Sequence, residues 1–207
     1  MKIAVIAANG RSGKVFVEAA LKGGHTVRAG IHGENIFPDH PNLEIMACDA
    51  TNLDQVSRLI AGQDAVASFI GHTPHSPATV QADAMKVIVA AMQQAGVRRI
   101  VSLTGTGVRQ PGDNIPLLDR FMTIGIRTLD PKRVSDGILH AKVLQDSQLD
   151  WTIIRVLKLQ PVKPSPFSLT SHGPTKWYVA REDVAQAFSQ VLEQSSFVRE
   201  MPIISQV

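Results

Sequence analysis

The sequence predicts a doubly wound α/β fold, in which one parallel sheet lies between two layers of helices. Short apolar runs alternate with helical stretches along most of the 207 residues. These runs are nearly continuous, which is typical of strands covered on both faces, as in a parallel sheet. Strands that alternate with helices imply right-handed crossovers. A chain of this length is expected to form a single domain over residues 1–207.

The boundaries of the elements follow from the apolar runs and from helical periodicity. The predicted strands are 2–7, 26–31, 43–48, 65–70, 100–103 and 151–156. The predicted helices between them are 13–22, 53–61, 78–95 and 136–147. In the third helix Met85, Val89 and Met92 recur at intervals of three and four, which is the spacing of one helical face. Gly23-Gly24 and Gly96 are stop signals for the first and third helices.

Two long segments interrupt this pattern and are predicted to be loops on the substrate side of the fold. Residues 106–134 contain three prolines, and an excursion of this length is uncommon without a role. We therefore predict a lid or binding loop there; a surface insertion with a small helix is the alternative. Residues 157–180 are rich in proline and hydroxyl side chains and are expected to cover the same side. The chain then continues with a predicted short strand, a helix and a last strand, at 176–179, 183–193 and 201–204.

Composition and charge restrict the classes of protein to consider. Hydrophobic residues make up 44% and charged residues 19% of the chain, which suits a globular core. The net charge is only +3 with scattered basic residues, so neither nucleic acid nor a membrane is expected as a partner. The first apolar run is too short for a secretory or membrane-spanning segment, so a cytoplasmic location is expected. Cys48 is the one cysteine, which excludes an internal disulfide, and its apolar surroundings predict a buried thiol.

The segment Ala7-Ala8-Asn9-Gly10-Arg11-Ser12-Gly13 carries the clearest chemical signal in the sequence. It joins an apolar strand to a helix, the setting in which a glycine-rich loop binds a dinucleotide. Gly10 would let the backbone approach a diphosphate, and Gly13 would let the helix pack closely on the strand. The N–H groups that open the helix, and the helix dipole, favour an anion at this position. An ordinary turn between a strand and a helix is the alternative.

Further motifs follow in the order of one family. They are Gly24-His25-Thr26-Val27-Arg28, Cys48-Asp49-Ala50-Thr51, Gly62-Gln63-Asp64-Ala65-Val66, Arg98-Arg99-Ile100-Val101-Ser102-Leu103-Thr104, Leu149-Asp150-Trp151-Thr152-Ile153-Ile154-Arg155 and Arg181-Glu182-Asp183-Val184-Ala185. Together with the glycine loop they span nearly the whole chain, which resembles the atypical short-chain dehydrogenases/reductases of the NmrA-like, NAD(P)H-binding group. That group includes flavin reductases, biliverdin-reductase-B-type enzymes and quinone reductases. The resemblance implies a Rossmann fold that binds NAD(P)H.

Three departures from the family pattern bear on the mechanism. Ala7 stands where the family has the first glycine of its loop, and a β-carbon restricts positive φ, so we expect a slightly different turn or a slightly looser site. The tyrosine–lysine pair of short-chain dehydrogenases is missing, because Tyr178 is the only tyrosine and has no lysine four residues on. Alcohol and sugar dehydrogenase chemistry then lacks its usual proton donor. Thr104 stands where relatives carry a serine, and its hydroxyl is predicted to orient the nicotinamide or the acceptor; capping of the strand end is the alternative.

The residues at the ends of the strands favour NADP over NAD. The second strand ends without the acidic residue that binds the ribose hydroxyls in NAD sites. Arg11, Arg28 and His32 would instead suit a 2′-phosphate. For Arg28 a solvated charge is the alternative, and for His32 a structural role. Asp49 is predicted either to hold the adenine or to cap the helix that begins near Leu53.

The remaining candidates are assigned by position. His72 and His75 follow the fourth strand, where the nicotinamide ribose passes in this fold. They are predicted either to contact the cofactor or to belong to a plain loop. A metal site is not expected, because the sequence near them offers no carboxylate ligand. Trp177 and Tyr178 are predicted to pack against or rim the pocket, and Lys142 to be a solvated charge. Thr104 is the candidate catalytic residue, and no metal ligand is assigned. The candidate cofactor-binding residues are Ala7, Asn9, Gly10, Arg11, Ser12, Gly13, His32, Asp49, Ala50, Ile70, Gly71, His72 and Thr104.

The resemblance leaves three functions open. The first is an NAD(P)H-dependent reductase, with NADP favoured and NAD as the alternative, that passes a hydride directly to a flavin, quinone or similar planar acceptor. Such an acceptor can take its proton from water, so the protein need only supply position and a dry pocket. The second is a non-catalytic NmrA-like sensor that binds the dinucleotide and regulates a protein partner, which the missing tyrosine–lysine pair supports. The third and least favoured is a nucleotide-sugar epimerase or dehydratase.

Overall fold

The computed structural model describes residues 1–114, 116–175 and 178–207. Its strands are β1 (Lys2–Ile6), β2 (Thr26–Ile31), β3 (Leu43–Ala47), β4 (Ala65–Ser68), β5 (Arg99–Gly105), β6 (Asp150–Val156), β7 (Leu159–Gln160), β8 (Phe167–Thr170), β9 (Val179–Ala180) and β10 (Ile203–Gln206). Its helices are α1 (Arg11–Lys22), α2 (Leu53–Ile60), α3 (Val80–Ala95), α4 (Leu117–Leu129), α5 (Pro131–Gln145) and α6 (Arg181–Glu193). The elements before residue 106 are those predicted, with only their ends displaced.

Within the described residues, eight strands form one sheet in the order β3-β2-β1-β4-β5-β6-β10-β8. Neighbouring strands pair in parallel except β10 and β8, which are antiparallel. Ile3 of β1 lies opposite Val27 of β2 on one side and Ala65 of β4 on the other. The prediction of a doubly wound α/β fold is confirmed. The strand order reverses between β1 and β4, and open α/β sheets bind ligands at such a point, outside the carboxyl ends of the strands.

Both faces of the sheet are buried, because successive residues of a strand point to opposite sides. In β1, Val5 belongs to the apolar cluster under α1 and α6, whereas Ile6 belongs to the cluster under α2, α3 and α5. Three aromatic rings fill the first cluster: Phe69 stacks on Phe188 with ring centroids 4.4 Å apart, and Phe16 lies 5.2 Å from Phe69. Burial on both sides explains why the strands read as continuous apolar runs.

Helix α2 lies tightly against β2 and β3, and Cys48 is part of that contact. A β-carbon on Gly30 would lie 2.6 Å from a methyl group of Leu59 and 3.2 Å from the β-carbon of Cys48. Cys48 is 7% exposed, and burial raises the pKa of its thiol to about 11. The predicted buried, unreactive thiol is therefore confirmed.

Residues 106–134 are largely helical, which corrects the prediction of a loop. They contain α4 and the first turn of α5, which begins at Pro131 and not at the predicted Asp136. The side chain of Asp130 caps α5 by accepting a hydrogen bond from a first-turn N–H at 3.3 Å. Proline loses no hydrogen bond at the start of a helix. Pro131 indicates a loop in the sequence, but in the structure it is the first residue of α5. The alternative prediction, an insertion with a small helix, is closer to the observed structure of residues 106–134.

Helix α4 is held by one buried carboxylate and exposes an apolar stripe. Asp119, 1% exposed, accepts hydrogen bonds from Arg109 at 2.6 Å and from the hydroxyl of Thr175 at 2.7 Å. Among the α4 side chains that the structure describes, Leu117, Phe121 and Ile124 are apolar and exposed. In the part of the chain that the structure describes, none of the helices combines the length and the hydropathy needed to cross a membrane.

Residues 157–180 contain short strands where an irregular loop was predicted. Strand β8 pairs antiparallel with β10, and β7 pairs in parallel with β9. The predicted strand at 176–179 corresponds to β9, which begins at Val179; Lys176 and Trp177 lie outside the described residues. Prolines outside the paired positions are compatible with edge strands, so the proline content of this segment concealed them.

Arg155 fastens these two segments to the end of β6. Its side chain is fully buried, and its two terminal nitrogens lie 2.6 Å and 2.9 Å from the carboxylate oxygens of Asp113. It also donates hydrogen bonds to the carbonyl oxygens of Val108, Ser171 and Met201. One guanidinium therefore holds the segments after β5 and β8 over the carboxyl end of the sheet.

Candidate functional site

The glycine loop lies at the carboxyl end of β1, beside the point where the strand order reverses. The N–H of Ala8 donates to the carbonyl oxygen of Gly30 in β2 at 2.9 Å. The N–H of Gly10 donates to the oxygen of Ala7 at 3.1 Å, and the N–H of Lys14 donates to the oxygen of Gly10 at 2.9 Å. The strand therefore turns directly into α1, as the sequence predicts.

Gly13 marks the closest approach of α1 to β1. A β-carbon there would lie 2.3 Å from the carbonyl oxygen of Ala7 and 2.8 Å from that of Ala8. Gly10 is less constrained, because its β-carbon would lie 3.1 Å from the oxygen of Ala7 and its φ of −70° suits any residue. The predicted close packing of helix on strand is confirmed at Gly13.

The N-terminus of α1 has no side-chain cap. Gly10 is its N-cap residue, and the first turn contains no acidic side chain. By contrast, Asn52 caps α2, Asp130 caps α5, and Asp136 accepts from the first turn of α3. The N–H groups of residues 11–13 precede the first helical bond of α1, so they and the helix dipole favour an anion. This end of α1 fits the diphosphate of a dinucleotide.

Ala7 adopts a left-handed backbone conformation despite its β-carbon. Its φ is +57°, in the left-handed region that favours glycine, at a cost of about 1–2 kcal/mol for an L-residue. A slightly different turn from that of the family stays a prediction. This conformation is kept because the flanking hydrogen bonds of Ala8 and Gly10 hold the backbone on both sides of Ala7.

We expect Ala7→Gly to raise the free energy of unfolding by about 0.5–1 kcal/mol. Glycine removes the left-handed strain, and this gain exceeds the extra freedom of the unfolded chain, about 0.4–1 kcal/mol. Thermal unfolding measures the change. Ala8→Gly is the matched control, because Ala8 is fully buried without positive φ and should lose stability; equal losses in both variants would contradict the strain at Ala7.

Asn9 connects the glycine loop to the end of β2. Its Nδ2 donates to the carbonyl oxygens of His32 and Glu34 at 2.9 Å and 3.4 Å. His32 follows β2 and is exposed, and Arg11 is exposed at the first position of α1. The two candidate 2′-phosphate ligands thus lie on adjoining segments at the same edge of the sheet, together with Ser12.

Arg28 has a structural role that the sequence did not reveal. Its Nε lies 2.6 Å from a carboxylate oxygen of Glu44. Its Nη1 lies 2.7–3.3 Å from the carbonyl oxygens of Arg58, Leu59 and Ala61 and donates hydrogen bonds to them. These carbonyl groups lie at the C-terminal end of α2. Arg28 lies in the middle of β2 rather than at its end, so both predicted roles, phosphate ligand and solvated charge, are wrong.

Asp49 organises the turn that follows β3. Its carboxylate accepts hydrogen bonds from the N–H and the hydroxyl of Thr51 at 2.9 Å and 2.7 Å. These bonds hold the pKa of Asp49 below its usual range. The cap of α2 is Asn52, which accepts from the N–H of Gln55 at 3.1 Å, so the prediction that Asp49 caps that helix is wrong. A contact of Asp49 and its half-buried neighbour Ala50 with adenine stays a prediction.

The segment after β4 brings His72 against a buried carboxylate. The carbonyl oxygen of Ile70 accepts from Gln81 of α3 at 2.8 Å, and Gly71 is exposed. The side chain of His72 is 9% exposed, and its Nε2 lies 2.9 Å from Oδ2 of Asp136. No hydrogen bond is assigned to this nitrogen, so the contact is a close approach of the ring to the carboxylate. His72 is therefore built into the fold, in contrast to an exposed loop residue.

Asp136, on α5, is the residue of this region that sequence reasoning missed. It is 1% exposed and accepts from the N–H groups of Gln81 and Ala82 at 2.8 Å and 2.9 Å. It therefore caps α3 from another helix. The only signal in the sequence was an acidic residue at the predicted start of an amphipathic helix, which ordinarily reads as a first-turn charge.

His140 lies one helical turn after Asp136 and is also buried. Its Nε2 lies 3.0 Å from the hydroxyl oxygen of Ser102 in β5. Burial lowers the pKa of His140 to about 4, with the charge of Asp136 acting in the opposite direction. The ring is therefore neutral at neutral pH. Lys142 is exposed and pairs with Asp146 at 3.0 Å.

Thr104 lies near the carboxyl end of β5 and faces α5. It is 6% exposed, and its hydroxyl oxygen lies 3.0 Å from the position of a β-carbon on Gly137. The absence of a side chain at Gly137 lets α5 approach β5 closely. The structure thus brings Thr104, Ser102 and the inner face of α5 together, as expected of a residue at this strand end; its role toward a ligand stays a prediction.

A concavity of the described surface lies away from this site. A shallow concavity of about 590 Å³ lies at the edge strand β3 and is lined by Pro38, Asp39, His40, Pro41, Leu43 and Ile45. It contains no residue of the glycine loop or of the carboxyl ends of β4 and β5. Tyr178 is 40% exposed, and Trp177 lies outside the described residues. The chemistry of the loop locates the site better than surface shape does.

The comparison with known families agrees with this geometry. The sequence profile described as NAD(P)H-binding matches residues 7–195. The chain belongs to the NAD(P)H-binding family. The match begins at Ala7, in the glycine loop, and extends through α6. The predicted likeness to atypical short-chain dehydrogenases/reductases is confirmed.

Two solved structures and a curated protein are similar to this NAD(P)H-binding chain. A short-chain dehydrogenase/reductase from Veillonella parvula in complex with NADP has a TM-score of 0.84 and 19% identity, over 99% of this chain and 94% of that one. A candidate NADH-flavin reductase from Streptococcus pneumoniae has a TM-score of 0.79 and 22% identity over the full length of both chains. A 3β-hydroxysteroid dehydrogenase/isomerase from Mycobacterium tuberculosis is 27% identical over 171 residues. That match covers 73% of this chain but spans only 45% of the relative.

Proposed function

We propose that this protein is an NAD(P)H-dependent reductase that passes a hydride directly to a flavin, quinone or similar planar acceptor. The observation that carries the proposal is the composition of the inner face of α5. This helix presents Asp136 and His140 toward the ends of β4 and β5, whereas Tyr178 lies outside it and is exposed. Without a tyrosine–lysine pair, reduction of a plain ketone lacks its usual proton donor, so a planar redox acceptor is favoured.

In this function the residues of the chain bind and orient, and the bound dinucleotide supplies the hydride. The uncapped end of α1 holds the diphosphate, with Gly10 allowing the backbone to approach it. Asp49 and Ala50 adjoin the adenine, and Ile70 and Gly71 adjoin the nicotinamide ribose. The hydroxyl of Thr104 orients the reacting rings; it transfers no proton itself, because a hydroxyl without an activating partner is too weak an acid.

Steady-state oxidation of NADPH with a panel of acceptors tests the function. Quinones and flavins should be turned over, and a ketosteroid, included because of the mycobacterial relative, should be poor because the chain lacks the tyrosine–lysine pair that serves such a carbonyl. Tight NADPH binding without turnover of any acceptor would instead support a dinucleotide sensor. The similarity to a candidate flavin reductase supports the enzyme over the sensor.

Arg11→Ala is expected to weaken NADPH binding by about tenfold, or about 1.4 kcal/mol, and to leave NADH binding unchanged. The reason is that Arg11 and His32 are the exposed basic side chains beside the proposed 2′-phosphate, which only NADPH carries. Fluorescence titration with both cofactors measures the two affinities. Equal affinities of the unmodified protein for NADPH and NADH would contradict the assigned NADP preference.

A further inference from the structure

A buried carboxylate adjoins two histidines at the end of the sheet where the nicotinamide is proposed to bind. Oδ2 of Asp136 lies 2.9 Å from Nε2 of His72, and the charge of Asp136 also acts on His140. Among the described residues, each histidine has one buried ring nitrogen without a hydrogen-bond partner, namely Nε2 of His72 and Nδ1 of His140. Buried polar atoms without partners are uncommon in folded proteins and point to a functional site.

The two histidines differ in whether they can transfer a proton to a ligand. His140 is 2% exposed and neutral, since its pKa is lowered to about 4 by burial, and its Nε2 contacts the hydroxyl of Ser102. It can neither give a proton at neutral pH nor reach solvent. His72 lies in the segment between β4 and α3, where its ring contacts the carboxylate on one side and keeps access to solvent on the other.

Helix α3 lies on the other side of the carboxylate that contacts His72. The backbone N–H groups of Gln81 and Ala82 both donate to Asp136. His75, in the same segment as His72, is exposed. The carboxylate of Asp136 thus lies against this ring, with Oδ2 2.9 Å from Nε2 of His72.

We propose that His72, held by Asp136, is the proton donor that completes the reduction, and that the acceptor class it serves is the quinones. The proposal rests on the proposed function. The quinone takes a hydride from the bound cofactor and becomes a hydroquinone monoanion. The Nδ1–H bond of the His72 imidazolium then breaks and an O–H bond forms on the product. The remaining proton stays on Nε2, which lies beside Asp136, and the neutral ring recovers its Nδ1 proton from water. The balance is NADPH, H⁺ and quinone to NADP⁺ and hydroquinone.

Two acceptors separate proton donation from every other role of His72. A benzoquinone needs a proton after the hydride, whereas methylene blue is a planar cation that a hydride alone converts to its neutral reduced form. His72→Asn should lower kcat for benzoquinone by about 100-fold. It should change kcat for methylene blue by less than about threefold, after correction for the uncatalysed reaction. His40→Asn, at an exposed histidine beside β3, is the matched control and should change neither rate.

The dependence on pH gives a second kinetic signature. Only the imidazolium form of His72 donates, so kcat for benzoquinone in the unmodified protein should fall as the pH rises, and the methylene blue rate should not follow it. In His72→Asn the fall of the benzoquinone rate should disappear. The same fall in both proteins would assign it to another group and overturn the proposal.

A measurement on the protein without cofactor tests the geometry independently of activity. Long-range ¹H–¹⁵N NMR reports which ring nitrogen of a neutral histidine carries the proton, and His72→Asn assigns the signal. We expect the tautomer of His72 that carries its proton on Nε2, the nitrogen beside Asp136, and loss of that preference in Asp136→Asn. An Nδ1–H tautomer, or a tautomer unaffected by Asp136→Asn, would overturn the proposed arrangement.

The outcomes distinguish this proposal from the function on which it rests. If the unmodified protein oxidises NADPH with neither acceptor, the reductase function is wrong. The proposal that His72 donates a proton is then wrong as well. If it turns over both acceptors and His72→Asn keeps the benzoquinone rate, the reductase stands and the donor proposal is overturned. If both rates fall equally, His72 positions the cofactor and does not donate the proton.

Discussion

Asp113→Asn is expected to lower the free energy of unfolding by about 3–5 kcal/mol, the usual cost of removing one partner from a buried ion pair. The change leaves the guanidinium of Arg155, which is fully buried, without its counter-charge. It also loosens the segments after β5 and β8, which Arg155 fastens to the sheet. Denaturant unfolding measures the loss. Asp39→Asn is the control, because Asp39 is exposed beside β3 and should change stability by less than about 0.5 kcal/mol.

The same pair predicts a pH dependence with a defined sign. Burial alone raises the pKa of Asp113, but the hydrogen bonds from Arg155 and from the N–H of Gln110 outweigh it and leave the pKa lowered. A lowered pKa in the folded state adds stability above the unfolded-state pKa, and this stability is lost as the pH falls through the folded-state pKa. The unmodified protein should therefore lose more stability on acidification than Asp113→Asn. Parallel curves would contradict the pair.

Gly13→Ala is expected to destabilise the fold by about 3 kcal/mol, at the upper end of the usual cost of overpacking. The new β-carbon would lie 2.3 Å from the backbone oxygen of Ala7, and that oxygen cannot move without shifting the end of β1 or the start of α1. Dinucleotide affinity should fall with stability, because the same shift displaces the N–H groups of the first turn. Thermal unfolding and NADPH titration measure the two effects.

Gly10 is the matched comparison, since it lies in the same loop without the close backbone contact. Its β-carbon would lie 3.1 Å from the oxygen of Ala7, so Gly10→Val should leave a folded protein. Its side chain would occupy the approach of the diphosphate, and NADPH should bind at least about tenfold more weakly, or about 1.4 kcal/mol. Unchanged NADPH affinity with normal unfolding would remove this loop from the site.

The fold and the glycine loop are encoded locally, which is why they could be predicted. Strands buried on both faces read as continuous apolar runs, and a strand followed by Gly10 and Gly13 reads as a diphosphate loop, because each pattern lies within one stretch of chain. The exceptions were local conflicts. Pro131 marked a helix start rather than a loop, and Ala7 kept a conformation that its side chain disfavours.

The long-range polar contacts could not be predicted in this way. Arg28 was expected to be a phosphate ligand or a solvated charge, yet it donates hydrogen bonds to the carbonyl groups at the end of α2. Arg155 was noted only as part of a family motif, yet its guanidinium binds two segments that are distant in the sequence. Asp136 accepts a hydrogen bond from the N–H group of Gln81, which lies 55 residues away in the sequence. Spacing along the chain does not reveal a partner at that distance. A charged residue in a sequence carries no sign of what will surround it.

The sequence by itself thus determined the order of strands and helices before residue 106 and the absence of a tyrosine–lysine pair, and it predicted the place of the cofactor diphosphate. Those features follow from residue type and short spacing, which set burial and turn geometry within one element. Only the tertiary structure decided which ionisable groups are available for chemistry. Packing of α5 against β4 and β5 made His140 neutral, set Asp136 beside His72 and left His72 in contact with solvent, because burial and neighbouring charge, rather than residue type, determine how a titratable side chain behaves.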